Sequence, residues 1–115
     1  MKYEVRTIPP FDKEFKALKK KKYASIKDDL ENLKKELEKN PEAGTKIADD
    51  IYKIRMAITS KGRGKSGGAR VIYLNLFAQK TDNNEIVLLA IYDKAERENI
   101  TDKEMRQALK ELYGI

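Results

Sequence analysis

Residues 51–78 read IYKIRMAITSKGRGKSGGARVIYLNLFA. Two runs flank a glycine-rich, basic centre. In the first, residues 51–59, Tyr52, Ile54, Met56 and Ile58 alternate with Lys53, Arg55, Ala57 and Thr59. That period of two is the mark of a strand with two unlike faces. The second, residues 69–78, reads as another strand. The stretch is a strand–loop–strand unit, so the chain contains a sheet, and any amphipathic helix elsewhere has a surface to pack on.

Working outward, residues 86–92, IVLLAIY, are apolar on both faces, as expected of a central strand. The connection before them, QKTDNNE, is polar, with Asp82–Asn83–Asn84 as its turn. At the other end, residues 2–8 read as a short strand that the Pro9–Pro10 pair terminates. From Phe11 the period changes. Phe11, Phe15 and Leu18 form the stripe of an amphipathic helix. Ile26, Leu30, Leu33 and Leu37 form a second stripe, with Ser25 as N-cap, Asp28 completing a weak capping box, and Asn40–Pro41 and Gly44 as the stop. The short joint between the two implies a helical hairpin. A last helix is signalled by Thr101 and Glu104 as a capping box and by Met105, Ala108, Leu109 and Leu112 as its stripe, with Gly114 to end it. The expected order is β-α-α-β-β-β-α. The expected fold is of the α/β (α+β) type: a small, mainly antiparallel twisted sheet packed by an N-terminal helical hairpin and a C-terminal helix.

The 115 residues fit one domain, residues 1–115, large enough to bury a core without staples. A composition 40% hydrophobic and 38% charged fits a globular chain with a charged skin. The absence of cysteine and histidine excludes disulfides, thiolate nucleophiles and the usual soft zinc sites. No run approaches the length of a membrane span and no targeting segment opens the chain, so no membrane association and a cytoplasmic location are expected.

The net charge of +6 is concentrated. Residues 53–70 hold Lys53, Arg55, Lys61, Arg63, Lys65 and Arg70 and no acidic residue; the rest of the chain is balanced. Residues 60–68, SKGRGKSGG, are a loop whose glycines are expensive to order and whose cations repel one another. Two readings compete: a solvated hairpin tip, and a loop that polyanion phosphates order. Lys53 and Arg55 on the strand before it, and Arg70 on the strand after it, favour the second, because a hairpin gathers strand and loop charges on one surface. GxGK here is not a nucleotide-binding loop, since the spacing and the strand-to-helix setting are absent. Tyr73 reads as core. Tyr92 is either a core aromatic with a wet hydroxyl or part of a site, with Lys94 on the same face if the strand continues.

The segment YKIRMAITSKGRGKSGGARVIY, followed by LLAIYDKAERENIT, resembles the RelE/ParE superfamily of bacterial toxins, and its glycine-rich basic loop is similar to the HigB-2-like branch. The likeness covers nearly the whole chain. It implies a RelE-like domain and a type II toxin–antitoxin partner that acts as a ribosome-dependent messenger RNA endonuclease and inhibits translation. It also implies a cognate antitoxin, with messenger RNA on the ribosome and possibly ribosomal RNA as the other partners. Carried onto this chain, the basic pair of the family's second strand falls on Lys53 and Arg55, and the arginine opening its third strand on Arg70. The arginine after the fourth strand aligns with Ala95, between Lys94 and Arg97, and a tyrosine near the last helix aligns with Thr101. The site histidines of HigB-type members have no counterpart.

RNA cleavage needs no protein nucleophile, because the 2′-hydroxyl attacks the neighbouring phosphorus, and the route requires no metal or other cofactor. The candidate catalytic residues are Lys53, Arg55, Arg70, Tyr92 and Lys94: the arginines as phosphate clamps, the others for charge stabilisation or proton transfer. Lys61, Arg63 and Lys65 are candidate RNA-binding residues. The alternatives are a ParE-like inhibitor of DNA gyrase and a non-catalytic RNA- or ribosome-binding module.

Overall fold

The computed structural model describes residues 3–20, 23–62, 68–77 and 84–94, together with 103, 107 and 110. Its elements run β1 (Tyr3–Thr7), α1 (Pro9–Lys19), α2 (Ile26–Lys39), β2 (Thr45–Ala48), β3 (Ile51–Met56), a 3-10 turn (Thr59–Lys61), β4 (Ala69–Phe77) and β5 (Asn84–Asp93). One five-stranded sheet has the order β1-β5-β4-β3-β2. β2, β3, β4 and β5 are successive antiparallel neighbours, and β1 returns to the far edge, parallel to β5, with Val5 opposite Ile86.

Pro9 and Pro10 start α1, where their fixed φ suits the first turn and the missing N–H is not needed. Both helices lie on one face of the sheet. Phe11 and Leu18 of α1, and Ile26, Leu30, Leu33 and Leu37 of α2, share a buried cluster with Tyr52, Ile54, Met56, Val71, Tyr73, Ile86, Leu88 and Ile91. Tyr73 is fully buried and stacks on Tyr52 with ring centroids 5.3 Å apart. Its hydroxyl donates to the Pro41 carbonyl at 2.8 Å and accepts from the Gly44 N–H at 3.1 Å, tying the end of α2 to the sheet. The opposite face carries a smaller buried cluster: Ile47, Ile51, Ile72, Val87, Leu89 and Tyr92. No helix among the described residues is long and apolar enough to cross a membrane.

The expected architecture is corrected by this arrangement. The chain opens on a strand, as residues 2–8 read, and this strand lies at the sheet edge; the two helices after it do not form the expected N-terminal helical hairpin. The helices are not a self-packed pair either: α1 lies mainly against β5 and α2 mainly against β1, with little contact between them. Their apolar stripes face strands, because the sheet offers more apolar surface than a second narrow stripe does. The sheet is mixed, since β1 joins it in parallel, and it gains the unforeseen strand β2. The described elements include two α-helices, and the C-terminal helix expected over residues 101–114 is not among them. Apart from 103, 107 and 110, the residues of that stretch lie outside the described ones.

Candidate nucleic-acid interface

Strand register brings the candidate residues together. Arg55 on β3 stands directly opposite Arg70 on β4, and Arg70 stands directly opposite Tyr92 on β5. The three form a row across the sheet on the face away from the helices, as their inward neighbours Ile54, Val71 and Ile91 belong to the helix-side core. Lys53 lies on the same face, two residues before Arg55 and opposite Ile72.

Tyr92 owes its place to an irregularity. Ile72 pairs with Ala90 and Tyr73 with Leu88, so Leu89 has no partner on β4. This extra residue is a β-bulge, and it reverses the facing of everything after it. Without it, Tyr92 would share the helix-side face with Ile86 and Leu88. With it, Tyr92 joins Val87 and Leu89 on the other face, and Asp93 turns towards the helices.

The row is an electrostatic conflict. Directly opposed side chains in an antiparallel pair have Cβ atoms about 5 Å apart, and like charges there are destabilising. Arg55 is exposed, whereas Arg70 is only 7% exposed. Burial, and then the charge of Arg55, push the Arg70 guanidinium below its ordinary pKa, against the opposing influence of Tyr92. One Arg70 N–H donates to the Ala69 carbonyl at 3.2 Å. An anion laid across the row neutralises the conflict and meets a planar fork of donors.

The loop next to the row is held at both ends. On its near side, Asp29 of α2 accepts the Thr59 N–H at 2.9 Å and the Thr59 hydroxyl at 2.5 Å. Ser25 donates its hydroxyl to Asp29 at 2.8 Å and accepts the Ser60 N–H at 2.8 Å. Ser25 thus stands at the N-cap position of α2 without making the expected cap bond, its hydroxyl being used across the fold. Lys61 forms an ion pair with Asp93 at 2.7 Å and lies 4.9 Å from the centre of the Tyr23 ring. The Tyr23 hydroxyl donates to the other Asp93 oxygen at 2.7 Å. That bond, with burial and the charge of Asp93, raises the Tyr23 pKa; Lys61 opposes the rise. On its far side the loop returns through Gly68, whose carbonyl accepts the Lys94 N–H at 3.2 Å. A Cβ at Gly68 would lie 2.1 Å from the Met56 carbonyl oxygen, so only glycine fits.

Of the residues singled out from the sequence, Lys53, Arg55, Arg70 and Tyr92 therefore share one face. Lys94 is the first residue beyond β5, half-buried, at the point where the loop closes. Lys61 sits on the helix side as a loop anchor, paired with Asp93. Arg63 and Lys65 lie outside the described residues. Sequence reading missed Asp93, Asp29 and Tyr23. Their partners lie 30 to 70 residues away along the chain, beyond the reach of any local pattern.

No protein-family model and no curated protein sequence matches this chain.

Proposed function

We propose that the protein is a toxin that binds messenger RNA on the ribosome and cleaves it, stopping translation, and that a cognate antitoxin neutralises it. The observation that carries the reading is the cross-strand pair Arg55–Arg70 beside Tyr92, with Lys53 next along the same face. A like-charge pair that costs folding energy is accounted for by an anion that bridges it, and the RNA backbone supplies one at every nucleotide. The resemblance of residues 52–73 and 88–101 to the RelE/ParE toxins supplies the reaction and the setting.

In the reaction, Arg55 and Arg70 hold the non-bridging oxygens of the scissile phosphate in line with the 2′-hydroxyl. As the phosphorane forms, both guanidinium groups and Lys53 face growing negative charge, which they stabilise more strongly than the ground state. The Tyr92 hydroxyl, directly across from Arg70, is placed to relay a proton to or from the reacting oxygens. Lys94, where loop and strand meet, adds positive charge at the edge of the site. The Lys61–Asp93 pair keeps the base of the loop in register with this row.

The test is translation in a purified system, with the ends of the message mapped. Wild-type protein is expected to produce cuts at defined positions during translation. An Arg55→Ala, Arg70→Ala variant, shown by its melting curve to be folded, is expected to lose them. Intact message on protein-bound ribosomes would sink the nuclease reading in favour of a blocking module. Supercoiling defects with translation unaffected would replace it with gyrase inhibition.

A further inference from the structure

α1 and α2 pack on the same face of the sheet, yet their outer surfaces differ in charge. On α2 the exposed charged side chains are Lys27, Asp28, Glu31, Lys35, Glu38 and Lys39, acids and bases in equal number, and half-buried Lys34 pairs with Glu31 at 3.5 Å. On α1, Asp12 stands against Lys13, Lys16 and Lys19, with Lys20 at the C-cap, and all five are exposed. Phe11 and Leu18 point into the core. With 3.6 residues to a turn, Lys13, Lys16 and Lys20 then fall in one line on the opposite side of the helix. None of the four lysines has an acidic partner among the described residues. Lys16 meets Lys13 and Lys19 at a spacing of three and Lys20 at a spacing of four, like-charge pairs that weaken a helix. The macrodipole offsets part of this for the lysines of the last turn, but not for Lys13.

We infer that the outer face of α1 binds the phosphate backbone of a double-helical RNA, as a second RNA surface separate from the arginine row. The inference rests on the RNA-binding reading and adds a partner to it. The row lies on the far face of the sheet, so at least the width of a helix, roughly 10 Å, stands between the two surfaces. A strand lying flat on the row does not touch the lysines. The chemistry of the face selects its occupant. Lysine holds a phosphate as a point charge and reads no base. The line from Lys13 to Lys20 covers about 10 Å of helix axis. Along that length a duplex offers several phosphates already fixed in space, which a single strand must first be ordered to present. Protein partners, by contrast, are held chiefly by buried apolar and aromatic anchors. This face has none to offer: among the described residues the one large apolar side chain that is exposed is Leu76, on β4.

Binding of a short RNA duplex and of a single-stranded oligouridine, both 2′-O-methylated to block cleavage and each measured over a range of salt, tests this. A Lys13→Gln, Lys16→Gln, Lys20→Gln variant is expected to bind the duplex about tenfold more weakly. Its slope of log affinity against log salt should fall by about 2–3, the scale of three phosphate contacts. Its binding of oligouridine should stay within about twofold of wild type. Lys27→Gln, Lys35→Gln, Lys39→Gln on α2 makes the same change in net charge and is expected to keep the duplex. Equal loss of the duplex in the two triple variants overturns the inference, because net charge and not the face would then be at work. Duplex binding that survives the α1 substitutions overturns it as well. A wild type that binds oligouridine but no duplex overturns it too, leaves the RNA reading standing and returns the lysines to another partner, such as an acidic protein. Failure to bind oligouridine at low salt overturns the RNA reading of the arginine row itself.

Discussion

On the helix-covered face of the sheet, β3 contributes Tyr52, Ile54 and Met56 and β4 contributes Ala69, Val71 and Tyr73, all buried and all continuous with the apolar stripes of α1 and α2. On the other face the same two strands contribute Ile51, Lys53 and Arg55, and Arg70, Ile72 and Leu74. Cations are gathered there at one end and apolar residues at the other. The first face has what a stable domain requires: burial without conflict. The second sets two guanidinium groups against each other on neighbouring strands, one of them nearly removed from water. A single sheet thus keeps its apolar core and its cluster of cations apart by the alternation of its side chains.

Substitutions on the two faces should therefore separate cleanly. Phe11→Ala, on the covered face, is expected to lose about 3–5 kcal/mol of stability, read from urea unfolding, because it opens a cavity under α1. Gly68→Ala forces the loop away from Met56 and is expected to lose about 2–3 kcal/mol, with RNA binding falling as the loop shifts. Tyr73→Phe removes the hydroxyl between Pro41 and Gly44 and is expected to cost about 1–2 kcal/mol. It should also change the alkaline limb. Burial holds the Tyr73 pKa at about 12, above its ordinary 10.0. Its contribution is complete below pH 10 and is lost as the pH rises through about 12, so the wild type should lose stability more steeply than Tyr73→Phe over that window. The smallest stability change belongs to Arg55→Ala, which relieves the opposed pair. It is expected to leave stability unchanged or raise it by up to about 1 kcal/mol, while RNA binding weakens and its salt dependence falls by about one phosphate contact. Loss of stability in Arg55→Ala on the scale of Phe11→Ala would erase the distinction between the faces.

Periodicity carried much of the architecture. The stripes Phe11–Leu18 and Ile26–Leu37 and the alternation of residues 51–56 are long enough to reveal period and facing. β2 was invisible, because four residues between a turn at Gly44 and a turn at Asp49–Asp50 hold too little pattern; Asp50, at φ 63°, takes the left-handed turn position that aspartate tolerates. The parallel pairing of β1 with β5 was hidden for another reason. A sheet's strand order depends on how its helices cross it, and neither stripe encodes that. The cationic face was legible as a concentration of charge with no nearby acid. Which residues face one another was not. The run IVLLAIY is apolar on both sides, so no pattern in it marks where β5 gains its extra residue, and the place of Tyr92 depends on that.

The bulge at Leu89 makes the site a matter of parity. Were all the residues of β5 paired without the bulge, its end would slide by one against β4: Ile91 would lie opposite Arg70, Tyr92 would turn towards the helices, and Asp93 would turn away from Lys61. Deleting Leu89 instead removes the extra residue and keeps Tyr92 opposite Arg70. The make-up of the cationic face thus hangs on a residue count inside an apolar run that carries no charge.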